Sequence, residues 1–143
     1  QELSRDLGAA RARLRPFAEA MFKVPTPVLK PERNTGLFGG SKVDPRAVAV
    51  LPAAMDKLLA LPAYLSMIPG NVAPEAARID VPVFLGLGER DMAGPPHQIP
   101  AAFTKSRDVT LYLLPEAGHS HFLFPARIGL FDRLAGWAKT LLP

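Results

Sequence analysis

The sequence predicts an α/β fold: two parallel strands with flanking helices, preceded by a helical region. Three observations predict it. Two apolar runs, at 81–87 and 109–114, are bounded by turn residues, as strands buried on both faces of a parallel sheet are. A helical stretch lies between them and another follows, which gives the order of a βαβ unit with its closing helix. The chain has 143 residues, 48% of them apolar and 21% charged, which suits one ordinary folded domain.

The elements follow in chain order. Residues 2–15 read as an amphipathic helix, because Leu3, Leu7, Ala10 and Leu14 recur at intervals of four, three and four. Arg5, Arg11, Arg13 and Arg15 lie mostly off that stripe. Pro16 is expected to end or kink the helix, since it lacks an amide donor, although Phe17 and Met21 continue the spacing. Prolines and the glycines at 36, 39 and 40 mark irregular chain up to Asp44. Asp44-Pro45 reads as an N-cap followed by proline at the first helical position, opening a helix towards Val50 that Pro52 interrupts. Short helices at 53–59 and 63–68 come next. Their Met55, Leu58, Leu59, Tyr64, Leu65 and Met67 make an ordinary core or, alternatively, an acyl-chain pocket in which Met55, Leu59 and Met67 touch substrate. After the first strand come a turn at 94–96 and a short helix at 98–106. Pro115 stops the second strand. Pro125 opens the last helix, whose expected inner stripe is Ile128, Phe131, Leu134, Trp137, Ala138 and Leu141. The expected division is a helical region, 1–75, and an α/β region, 76–143.

Composition excludes several classes. With no cysteine there is no disulfide scaffold, thiolate metal site or cysteine nucleophile, and a reducing compartment such as the cytoplasm is favoured. No apolar run approaches the roughly 20 residues needed to span a bilayer. The first 46 residues hold nine Lys or Arg against five Asp or Glu, so they carry the whole net charge of +4. Those charges are scattered, with no aromatic residues interleaved for base stacking, which argues against nucleic acid as a partner.

In open α/β sheets, ligands bind beyond the carboxyl ends of the strands. Gly88-Glu89-Arg90-Asp91 follows the first strand, and Gly118-His119 follows the second. Alone, Asp91 is as easily a turn cap and His119 an ordinary loop histidine. Together, a carboxylate can fix the tautomer of an imidazole and stabilise its protonated form during general base catalysis. His121, two residues on, is the runner-up base and a candidate wall of the substrate site, and His97 reads as surface. The three histidines show no metal-ligand spacing, and neither a metal nor a cofactor is expected.

These landmarks carry a resemblance. The Ile79-Asp80-Val81-Pro82-Val83 approach, the Gly88 to Asp91 turn, the 109–114 strand and the Ala117-Gly118-His119 turn stand in the order of the α/β-hydrolase fold. Residues 79–138 resemble its C-terminal part, and 24–75 are similar, less specifically, to the helical cap such enzymes insert. The resemblance implies that Asp91 is the triad acid and His119 the triad base, in the family order Ser, Asp, His. The G-x-S-x-G elbow is missing. Among five serines only Ser120 approaches it, in Gly118-His119-Ser120-His121-Phe122, and Phe122 stands where the tight turn needs glycine. The expectation is therefore a hydrolase subunit or fragment whose nucleophile lies on a second polypeptide. Ester hydrolysis of a small molecule by a serine is the default. An aspartate nucleophile, as in the related dehalogenases and epoxide hydrolases, stays open, as does a non-catalytic binding or partner subunit. Independently, two strands apolar on both faces cannot shield each other, and isolated pairs are marginal.

Overall fold

The protein is seen in a computed structural model that describes residues 6–21, 42–54, 59, 62–63, 66, 68, 70–92 and 94–142. Its sheet has two parallel strands. β1 (Val83–Gly88) pairs with β2 (Val109–Leu114), from Val83 opposite Val109 to Gly88 opposite Leu114. The β2 bounds are those expected. β1 starts two residues late, because Pro82 has no amide for a ladder and the Val81 carbonyl is taken by the Ser106 hydroxyl at 2.8 Å.

Between the strands the short helix expected over 98–106 is a 3-10 helix, and it starts and ends earlier, at Pro96–Ala102. Pro100 lies inside it and supplies no amide, so the chain closes three-residue steps instead, Gln98 N–H to the Pro95 carbonyl and Phe103 N–H to the Pro100 carbonyl.

Four α-helices have described bounds, and a short 3-10 helix, His121–Leu123, follows β2. α1 (Leu7–Met21) runs through Pro16 instead of ending there. The proline removes one donor, and the residues beyond it keep the helical spacing. Of the expected stripe, Ala10 is buried and Leu7 and Leu14 are half-buried. The Arg11 side chain donates to the Asn71 side-chain oxygen at 2.6 Å and to its carbonyl at 3.0 Å, tying α1 to the turn before α3 (Ala73–Ala76). α2 (Pro45–Ala54) begins as expected: Asp44 Oδ1 accepts the Arg46 amide at 3.0 Å, an N-cap bond, with Pro45 in the first position. Pro52 sits within α2 and does not end it. Most of the two short helices expected after it lies outside the described residues.

α4 (Arg127–Thr140) covers the even-numbered face of the sheet. The Phe84 and Trp137 ring centroids are 5.5 Å apart, and the Arg133 guanidinium lies 5.8 Å from the Tyr112 ring centroid. Gly86 makes room for Leu130, whose Cδ1 would be 2.6 Å from any β-carbon there. This corrects the expected inner stripe. Trp137 docks, but Ile128 and Phe131 are 57% and 51% exposed, and Leu134 and Leu141 are exposed too. The helix carries apolar residues on two faces, and the sheet takes the one that places Leu130 over a glycine.

The core sits at the carboxyl end of β2. Leu51, Leu114, Ala117, Leu123 and Phe124 form it, with Val48, Tyr112 and Leu130 packed against it. Leu51 belongs to α2, so that helix shares a core with the loop carrying His119. The Asp44 amide donates to the Leu123 carbonyl at 2.7 Å, and Asp44 Oδ2 accepts from Arg127 Nη2 at 2.9 Å. The strands themselves are half-buried, with only Gly88 and Leu114 buried, against an expectation of burial on both faces. No helix among the described residues is long and apolar enough to cross a membrane.

Candidate functional site

Parallel pairing ends β1 and β2 side by side, at Gly88 and Leu114, and so delivers two turns to one edge of the sheet. The turns lie against each other. Glu89 N–H donates to the Leu114 carbonyl and Arg90 N–H to the Ala117 carbonyl, each at 3.0 Å. Gly88 permits this approach, since a β-carbon there would stand 2.5 Å from the Gly118 carbonyl oxygen.

The consequence is a direct bond between the two expected residues. His119 Nδ1 lies 3.0 Å from Asp91 Oδ1. A carboxylate accepts only, so Nδ1 carries the proton and Nε2 is the lone-pair nitrogen of the ring. The Asp91 side chain is 3% exposed and that of His119 50%. A shielded carboxylate thus orients an imidazole that is half open to solvent. That arrangement can take up a proton and hold the resulting imidazolium.

The other singled-out residues take different places. His121 Nδ1 donates to the His119 carbonyl at 2.5 Å, while its Nε2 is shielded from solvent and meets no hydrogen-bond partner among the described residues. His121 therefore braces the backbone of the base-bearing turn. Ser120 is buried, and His97 is exposed on the 3-10 helix. Leu59 is exposed, and Met55 and Met67 lie outside the described residues. Among the described residues no three His, Asp or Glu side chains gather where a metal could bind. A groove of about 340 Å³ runs between the sheet and α4, lined by residues including Phe84, Tyr112, Arg133 and Trp137, and includes none of the histidines.

Two residues near the site escaped the sequence. Asp44, read only as a helix cap, has its carboxyl pulled down from the ordinary value of 3.8 to about 2, by the hydrogen bond from Arg127 first and those from Arg46 next. Glu116 pairs with both Arg90 and Lys42. The hydrogen bond from Lys42, more than any other influence, holds its carboxyl below the usual range. An Asp before a Pro announces a cap, but nothing in sequence announces a partner 83 positions away. The chain matches no protein-family model, no curated protein and no solved structure.

Proposed function

We propose that this chain is a hydrolase subunit of α/β-hydrolase type, in which Asp91 is the triad acid and His119 the base. The observation that carries the reading is the 3.0 Å contact between these side chains at adjacent parallel strand ends. In this reading His119 Nε2 takes the proton of a serine hydroxyl as its oxygen attacks an ester carbonyl. The imidazolium, steadied by Asp91, then passes the proton to the leaving alkoxide. In the second step His119 takes a proton from water, the resulting hydroxide attacks the acyl-enzyme, and the serine recovers its proton. With an aspartate nucleophile, His119 enters only at the water step. The nucleophile comes from outside these 143 residues, which hold no G-x-S-x-G elbow.

That same missing elbow favours a second reading, a non-catalytic subunit that keeps the scaffold to bind a ligand or partner. Native material separates the two. Intact mass spectrometry should find the nucleophile half, on a second polypeptide or on a chain longer than these 143 residues. A fluorophosphonate probe should label it if its nucleophile is serine, and His119→Ala should lower ester turnover roughly 10³-fold or more with little change in melting temperature. Normal turnover in His119→Ala beside an inactive His121→Ala would move the base two residues on. A single polypeptide with no hydrolytic activity would leave the binding subunit standing.

A further inference from the structure

One turn, Pro115-Glu116-Ala117-Gly118, separates β2 from His119. Glu116 has φ 59°, and among the described residues it is the one non-glycine with positive φ. That region crowds the β-carbon of an ordinary residue, and glycine or asparagine is its usual occupant. What a glutamate adds there is its side chain. Glu116 Oε1 accepts from Arg90 Nη2 at 2.8 Å, and Oε2 pairs with Lys42 Nζ. The amide of the same residue donates to Glu89 Oε2 at 2.9 Å. Glu89 and Arg90 immediately precede Asp91, and Glu116 stands three residues before His119.

We infer that Glu116 is a positioning residue, tying the Asp91 turn to the His119 turn through Arg90 and Glu89 so that the carboxylate and the imidazole stay in bonding range. The inference rests on reading Asp91 and His119 as a working pair. Stability alone does not account for the residue. Its ion pairs lie at the surface, with the Glu116 side chain half-exposed, and pairs at the surface contribute little to folding. His119 is half exposed and sits on the loop that this turn begins. A tie that sets the separation of the two turns therefore acts on geometry more than on folding.

The test is ¹⁵N NMR of the His119 imidazole in the full chain, together with any polypeptide that co-purifies. The parent should show one tautomer, with the proton on Nδ1. Glu116→Ala and Glu116→Gly should both give a mixture of tautomers with secondary structure unchanged, even though glycine relieves the backbone. Glu116→Gln keeps an oxygen for Arg90 and should restore much of the parent signal. Arg90→Ala should act like Glu116→Ala, and it reads the same tie if the Glu116 variants fail to fold. Asp91→Asn examines the pair itself and should disturb the tautomer whatever Glu116 does. A parent-like signal in Glu116→Ala, Glu116→Gly and Arg90→Ala, beside a disturbed Asp91→Asn, overturns the positioning role alone. A parent-like signal in Asp91→Asn overturns the pair, and the positioning role with it.

Discussion

Gly88 and Gly86 lie two residues apart on one strand face, yet substitution should affect them differently. A β-carbon on Gly88 meets backbone: the carbonyl oxygens of Ala117 and Gly118, neither of which can rotate away. One on Gly86 meets Leu130 Cδ1, the far end of a flexible side chain. Gly88→Ala must therefore push the base-bearing turn off the acid-bearing one. It should cost about 1–3 kcal/mol, the range for overpacking a tight site, and separate His119 from Asp91. Gly86→Ala should cost less and leave the pair intact. Urea denaturation of both variants, with the His119 imidazole signal as the second reading, checks the difference. Equal losses, or an unchanged imidazole in Gly88→Ala, would mean that the two turns are not pressed together as described. The pair itself was legible because each member follows a strand end within a few residues, and a parallel register brings such ends together. Glu116 was not legible, because its partners are set by a left-handed turn that sequence does not announce in a glutamate.

At the scale of elements, Asp44 joins α2 to the start of α4. Its carboxyl caps α2 and accepts from Arg127, and its side chain is only 7% exposed. The folded-state pKa, about 2, is below the ordinary 3.8. A depressed carboxylate stabilises the fold above the unfolded value and loses that contribution as pH falls through the folded one. The loss therefore falls between about pH 4 and pH 2. Asp44→Asn should lower the melting temperature near neutrality and then lose less than the parent on acidification across that window. Thermal melts of both proteins at pH 6 and pH 2.5 give the comparison, and parallel losses would show that the Arg127 contact does not depend on the charge. The helices also show where periodicity stops being informative. Asp44-Pro45 placed the start of α2 correctly, because a cap is a local device. The face of α4 was read only in part, because Ile128 and Phe131 continue the helical spacing as well as Leu130 and Trp137 do. Only Gly86, on another element, selects between the two stripes.

For the molecule as a whole, the strand order and the parallel register follow from two apolar runs separated by a crossover. The degree of burial does not. Among the described residues β1 and β2 pair only with each other, and all but their last residues are half-buried. Ile128, Phe131 and Leu134 add exposed apolar surface on α4. Strands that are apolar on both faces belong to sheets with cover on both, and a bare two-stranded sheet is marginal. A second polypeptide of the kind proposed would extend the sheet and supply that cover. Purified alone, the 143-residue chain should bind ANS strongly and melt over a broad range, with far-UV and near-UV signals lost at different temperatures. Mixed with the polypeptide that accompanies it in native material, it should lose ANS binding and melt in one sharp transition. The measurement is a pair of thermal scans at equal concentration, with and without the partner. A sharp two-state melt of the isolated monomer, with little ANS binding, would mean that the half-buried sheet is already sufficient, and the proposed shared architecture would fail with it.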